Sequence, residues 1–172
     1  MRPLTEPETQ TLFAKLAGYT GNSLKNLIAP LDNTPNADRY VFSSSAIEID
    51  KLLSLGICLG KFTKSGKFRI HITALPILAE HARYKVWVKA NGEMPFLYGG
   101  HIVKAHVGRW SEDCPEHQGV VVYSMNDTPL GFGVTARSTQ EARRLDPTGI
   151  VCFRQADAGE YLRDEDTLFA TS

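Results

Sequence analysis

Gly119-Val-Val-Val-Tyr-Ser-Met125-Asn-Asp-Thr-Pro129-Leu-Gly-Phe-Gly-Val134 holds the clearest pair of strands in the second half of this chain. Gly119–Met125 is a short run with apolar residues at successive positions, which fits a strand buried on both faces. Asn126, Asp127 and Pro129 are turn residues, so the chain reverses there and Leu130–Val134 returns as a second strand. Gly131 and Gly133 inside that strand read as a bulge or as a close approach of another backbone. A phosphate cradle is the weaker reading, because no Gly-x-Gly-x-x-Gly follows a strand.

Outward from there, Gly149-Ile-Val-Cys-Phe153 is another buried strand and Phe96-Leu-Tyr-Gly-Gly100 a short strand closed by glycines. His101–Val107 reads as a short helix, Pro115–Gln118 as loop, Ser138–Leu145 as a helical turn, and Asp157–Arg163 as a final helical turn. Short strands, glycine-rich turns and two small helices describe a compact barrel-like domain.

The first half opens with a helix. Thr5-Glu6-Pro7-Glu8 is a capping box, and Pro7 sits in the first turn, where its missing N–H costs nothing. Leu12, Phe13 and Leu16 follow at helical spacing, and Gly18 or Gly21 can end the run. Gly60–Thr73 reads as a hairpin turning at Ser65-Gly66. Phe68, Ile70 and Ile72 face a core, while Lys67, Arg69 and His71 form a basic row on the other face. A helix over Pro76–Arg83 and a strand over Tyr84–Lys89 complete it, with a domain boundary between Asn91-Gly92 and Pro95. The chain thus divides into 1–92, a small α/β domain, and 93–172, whose core spans about 95–166. Between the first helix and the hairpin, residues 22–54 carry turn residues at Pro30, Asp32-Asn33 and Pro35-Asn36, a short strand at Arg39–Ser43, and strand or helix at Ala46–Leu53.

The formal net charge of zero hides an asymmetry. Residues 1–92 hold 12 Lys and Arg against 7 Asp and Glu, and residues 93–172 hold 7 against 12. No acidic residue lies between Asp50 and Glu80, where Lys51, Lys61, Lys64, Lys67 and Arg69 fall. A basic half beside an acidic one suits one anionic partner and one face kept off it. No apolar run approaches the roughly 20 residues of a membrane span, and Met1-Arg-Pro-Leu-Thr-Glu has no signal-peptide core. Cys58, Cys114 and Cys152 are odd in number and fit reduced thiols. A soluble intracellular protein is expected.

Catalysis finds little support. There is no Walker loop, and Ser43-Ser44-Ser45 lacks a nucleophile-elbow context. Cys114-Pro-Glu-His117 offers only two of the four ligands that zinc takes, so neither metal nor cofactor is expected. RNA is the better use of the cations. Lys61, Lys64, Lys67 and Arg69 can meet phosphates along one edge of the first half. In the second half Lys104, the adjacent pair Arg143-Arg144, Arg154 and Arg163 complete the candidate set, each equally able to be a salt-bridge partner. Phe62, Tyr84 and Trp87 can stack bases or belong to the core.

The second half resembles a PUA domain, a small pseudo-barrel that binds structured RNA. The residues that carry this are Phe96-Leu-Tyr-Gly, Val120-Val-Val-Tyr, Pro129-Leu-Gly-Phe-Gly-Val and Asp157-Ala-Gly-Glu-Tyr-Leu-Arg. The whole chain resembles the Nip-seven family of large-subunit ribosome assembly factors. Met1-Arg-Pro-Leu-Thr-Glu, Gly60-Lys-Phe-Thr-Lys, Lys67-Phe-Arg-Ile-His-Ile-Thr-Ala-Leu, Tyr84-Lys-Val-Trp, Ser138-Thr-Gln and Gln155-Ala-Asp-Ala-Gly-Glu-Tyr add to the match. Only the stretch from Asn22 to Lys51 departs from it, being shorter than the family pattern. The resemblance implies an α+β chain: an N-terminal antiparallel sheet with flanking helices, then a C-terminal PUA pseudo-β-barrel. It implies a nuclear, nucleolar factor without catalytic residues, needed for pre-ribosomal RNA processing and large-subunit assembly. Its expected partners are pre-ribosomal RNA, the pre-large-subunit particle and other assembly factors. No membrane is expected, and the chain should be a monomer outside the particle. Two rivals stand beside this reading: an adaptor that mainly docks neighbouring proteins, and an RNA-modifying enzyme, which lacks a nucleotide-binding loop.

Overall fold

A computed structural model describes residues 4–24 and 57–164. The turns, strand and ambiguous element expected between residues 25 and 54 lie outside the described residues.

The first element, α1 (Glu6–Thr20), begins as its capping box dictates, with the Thr5 backbone N–H donating to the Glu8 carboxylate at 2.8 Å. Leu16 and Tyr19 turn inward and are buried. After the undescribed segment come β1 (Gly60–Phe62) and β2 (Phe68–Ile70), an antiparallel hairpin in the register Gly60↔Ile70, Lys61↔Arg69, Phe62↔Phe68. Gly66, at φ +75°, takes the turn at the expected place. The second strand is shorter than its alternation predicts, because residues Ile72–Ala74 coil into one 3-10 turn that leads into α2 (Leu75–His81). Ile72 is still fully buried, so its apolar side chain serves the core from a turn instead of a strand.

The chain continues through β3 (Lys85–Val88), α3 (Ala90–Leu97), β4 (Ile102–Val103), β5 (Val107–Trp110), β6 (Gly119–Ser124), β7 (Pro129–Thr135), α4 (Thr139–Ala142), β8 (Ile150–Asp157) and α5 (Glu160–Arg163). Six strands form one sheet in the order β4-β8-β7-β6-β3-β5. All neighbours are antiparallel except β3 and β6, which run parallel. Its two edge strands, β4 and β5, are separated in sequence only by the 3-10 turn Lys104–His106. Three residues span about 10 Å at most, so the sheet must curl until its edges nearly meet. That curl is the barrel, and the structure is α+β with a small antiparallel hairpin beside it, as expected.

β6 explains why the barrel and the N-terminal elements hold together. All six of its residues are buried. Val120 and Val122 point into the barrel with Val86, Val88, Phe96 and Ile102. Val121 and Tyr123 point outward into a second core with Leu16, Tyr19, Ile72, Leu75, Leu78 and Phe132. The outer face of the barrel is therefore the floor on which α1 and α2 rest. The Tyr19 ring meets Phe132 edge-on at 5.5 Å, and the Arg83 N–H donates to the Tyr19 carbonyl at 2.9 Å. Gly131 and Gly133 sit where β7 and β8 slip in register between Phe132 and Gly133, which is the bulge and close approach expected of them.

Two expectations need correction. Phe96–Gly100 is not a strand: Phe96 lies in α3, a helix that contains both Gly92 and Pro95. A side chain at residue 92 would come within 2.5 Å of the His106 Cβ, so this helix is made close to its neighbour by a glycine that read as a breaker. Burial of Phe96 against the barrel core outweighs the local propensity for a turn. His101–Val107 is not a helix either; it is β4, the 3-10 turn and the start of β5. The boundary expected between Asn91-Gly92 and Pro95 falls inside α3, and β3, on its N-terminal side, is a strand of the larger sheet between β6 and β5.

Candidate nucleic-acid interface

The hairpin carries its cations outward. Lys61 and Arg69 are direct cross-strand partners, so their side chains leave the same face of the hairpin. Lys64 sits at the turn, and Lys61, Lys64, Lys67 and Arg69 are all exposed. The turn is held by the Lys67 backbone N–H donating to the Thr63 hydroxyl at 3.2 Å and by the Thr63 and Ser65 hydroxyls 2.9 Å apart.

Lys67 and Arg69 face an open groove of about 1080 Å³ that runs between the hairpin, α1 and strands β7 and β8. Lys15 of α1 and Arg154 of β8 reach the same groove, and among the described residues no acidic side chain lines it. Tyr19, Phe68 and Phe132 form its buried floor; Thr11, Thr63, Ser65 and Gln155 supply hydroxyl and amide groups along the walls. Among the described residues, no ion pair involves Lys15, Lys67 or Arg69. Unpaired cations beside neutral hydrogen-bonding groups can take phosphates and ribose hydroxyls without displacing an internal partner. Lys15 was not singled out from the sequence: a lone lysine on a helix has no local signal, and only packing brings α1 to the hairpin.

The second-half candidates are differently placed. Lys104 donates through Nζ to the carbonyls of Arg143, at 2.9 Å, and Leu145, which ties β4 to the end of α4. Arg143 lies 3.7 Å from Asp113, while Arg144 is exposed on the same turn. Arg154 donates through Nε to Asp157 and through a terminal nitrogen to Glu160. Arg163 donates to both Asp157 carboxylate oxygens at 2.9 Å and to the Leu97 carbonyl. Asp157 is fully buried and also accepts the Gly159 backbone N–H at 2.9 Å. Burial pushes the Glu160 carboxyl above its ordinary range, and the Arg154 guanidinium pulls against that. These arginines fasten α5 and the end of α3 to β8.

A second cluster gathers at the other end of the sheet. Lys89, Lys104, Arg109 and Arg143 share a cavity of about 770 Å³ with Glu112 and Asp113, so half of its positive charge is offset within it. The Arg109 guanidinium lies 4.0 Å from the Trp87 ring and 3.2 Å from Asp127, and Trp87 stacks on Tyr123 at 5.7 Å. Trp87 is thereby covered on both sides, Tyr84 is buried, and Phe62 packs on Phe68 at 5.0 Å. The three aromatics named from the sequence serve packing. At Cys114-x-x-His117, burial pushes the thiol up to about 11, which keeps it protonated and a poor metal ligand near neutral pH.

Comparison with known proteins places this architecture. The chain matches the family description "NIP7/UPF0113, pre-PUA domain" over residues 1–72 and "UPF0113 PUA domain" over residues 84–166. It is 62% identical over 181 aligned residues to the 60S ribosome subunit biogenesis protein nip7 of Schizosaccharomyces pombe, covering 98% of this chain and 100% of that protein. The Saccharomyces cerevisiae 60S ribosome subunit biogenesis protein NIP7 is 57% identical, with 98% and 99% covered, and the Xenopus tropicalis homologue is 53% identical, also with 98% and 99% covered. A PUA-domain crystal structure from Aeropyrum pernix K1 superposes with a TM-score of 0.59 over 94% of this chain and 87% of its own, at 16% identity. A Pyrococcus horikoshii OT3 protein described as hypothetical does so with a TM-score of 0.59 over 95% and 98%, at 13% identity. These two likenesses concern the fold.

Proposed function

This chain belongs to the NIP7/UPF0113 family, and from that membership we propose that it is an RNA-binding factor of pre-ribosomal RNA processing and large, 60S-type ribosomal subunit biogenesis. It works in the nucleus and nucleolus within the pre-large-subunit particle, beside other assembly factors, and is a monomer outside the particle. It acts by binding and not by turnover.

The observation that carries the RNA reading is the groove to which Lys15, Lys67 and Arg69 contribute, with no acidic residue lining it among the described residues. Lys61 and Lys64 extend the same positive surface along the hairpin. Of the second-half candidates, Arg144 is exposed and free to meet a phosphate, whereas Lys104, Arg143, Arg154 and Arg163 already hold internal acceptors. We place the principal RNA contact at the hairpin, with the PUA barrel providing the other wall.

The test is crosslinking of the tagged protein to RNA in cells, with the bound RNA sequenced, for the natural chain and for Lys64→Ala/Lys67→Ala/Arg69→Ala. Reads concentrated in large-subunit precursor RNA, and lost from the triple variant, are the expected result. Undiminished crosslinking by the variant would remove the groove from the interface.

A further inference from the structure

β5 is an edge of the six-stranded sheet and has a neighbouring strand, β3, on one side only. The Ser111 backbone N–H donates to the Lys85 carbonyl at 2.9 Å, and Arg109 lies directly opposite Trp87. Residues 109 and 111 thus turn their backbone groups toward β3. Trp110 between them turns its N–H and carbonyl the other way. Among the described residues no backbone group meets Trp110 on that side. An open edge of this kind can pair with a further extended chain. Along this edge, between β5 and α4, runs the cleft of about 770 Å³. The chain is tied to α4 on either side of β5, so the cleft is preformed. Before β5, Lys104 Nζ donates to the Arg143 and Leu145 carbonyls. After it, the Cys114 N–H donates to the Thr139 hydroxyl and the Thr139 N–H to the Cys114 carbonyl, both at 2.9 Å.

The lining of the cleft decides its occupant. Val107, Ala142 and Val151 of the barrel core give it an apolar part, and Lys89, Lys104, Arg109 and Arg143 outnumber Glu112 and Asp113. Lys89 is exposed and, among the described residues, in no ion pair. Arg143 and Asp113 stand 3.7 Å apart with side chains 73% and 64% exposed, a pair that contributes little and parts easily. RNA lacks the alternating N–H and C=O groups that pair with a strand edge, and its phosphates would meet Glu112 and Asp113. The same edge of a second copy would bring Lys89, Arg109 and Arg143 against their own kind. We propose that β5 docks an extended segment of another protein, about four residues long, as a seventh strand of this sheet. An aliphatic side chain of the segment lies on Val107 and Val151. An aspartate or glutamate of the segment meets Lys89 and displaces Asp113 from Arg143. This docking does not depend on the RNA reading.

The experiment places a photoreactive benzoylphenylalanine at Glu112, on the wall of the cleft, in the full-length chain in cells, with Lys67 as the control position. The crosslinked segment is identified, synthesised as a peptide and titrated into the purified chain, and amide hydrogen exchange is followed with and without it. Expected is a protein adduct at residue 112 on a segment with apolar residues beside an aspartate or glutamate. The saturating peptide should slow exchange of the Trp110 amide by roughly tenfold or more, because that N–H gains a partner. Affinity for the peptide should fall roughly tenfold or more in Lys89→Ala/Arg143→Ala, while the melting temperature stays unchanged. RNA adducts at residue 112, adducts to this same chain, no adduct there, or a basic segment would each overturn the proposal. So would unchanged exchange at Trp110, which denies the strand pairing, or a double variant that binds the peptide normally. A hairpin variant that loses RNA but keeps the peptide would count against the groove and not against this edge.

Discussion

Lys67 and Arg69 of the hairpin and Arg154 of β8 border one groove, and Arg163 of α5 shares Asp157 with Arg154. Arg154 and Arg163 end on buried Asp157, while Lys67 and Arg69 end in open groove. A basic residue's role here is set by what its charge already touches. Where carboxylates are within reach, the cation is part of the fold; where only hydroxyls, amides and aromatic floor are near, it remains available to a phosphate.

The comparison is tested most severely at Asp157. Asp157→Asn leaves Arg154 and Arg163 without their shared acceptor in a largely buried place, and should cost about 3 kcal/mol of stability. Urea unfolding followed by circular dichroism measures it. A loss under about 1 kcal/mol would mean that the cluster does not anchor α5 and would erase the contrast with the hairpin.

The converse holds for the hairpin. Lys64→Ala/Lys67→Ala/Arg69→Ala should change unfolding free energy by no more than about 0.5 kcal/mol, as exposed substitutions without internal partners do. Its affinity for single-stranded RNA should nonetheless fall by roughly tenfold or more near 0.1 M salt. The slope of log affinity against log salt should flatten by about 2, for three lost contacts at about 0.7 each. A destabilised variant with an unchanged salt slope would put these residues in the same class as Arg154.

Arg154→Lys separates charge from geometry. A lysine keeps the positive charge but cannot donate to Asp157 and Glu160 together through a planar fork, so about 1 kcal/mol of stability should go. Unfolding at two salt concentrations reads this, because a cluster this enclosed is poorly screened and the loss should persist in salt.

Much of this was legible in the chain itself, and what was not has a physical reason. β6 could be read because burial on both faces removes polar residues, leaving an apolar run between Gly119 and Tyr123. The hairpin could be read because one face is buried and the other wet. α3 could not, since its glycine and proline look like breakers until His106 is seen packed against Gly92. Nor could the division of labour among the cations. Arg154, Asp157, Glu160 and Arg163 are close in sequence, but whether they meet depends on the turn at Gly159 and on the Leu97 carbonyl arriving from α3. Lys15 joins the groove only because α1 lies on the outer face of β6 and β7.

The smallest effect concerns His71, which reports on the hairpin from within. It is half-buried at the end of β2, and its pKa lies below the usual value of 6.5, first through burial and then through the nearby Lys61. The folded chain therefore resists the proton that the unfolded chain accepts. Stability should be level above about pH 6.5 and decline as pH falls through that value, with His71→Gln removing the decline. Imidazole resonances followed by nuclear magnetic resonance give the titration directly. Lys61→Gln should raise it, because a neighbouring cation is gone. Single-stranded RNA should raise it as well, because phosphates along the hairpin favour the imidazolium. If saturating RNA leaves the His71 titration where it was, the RNA does not lie along Lys61 and Arg69, and the free cations of the hairpin serve some other anion.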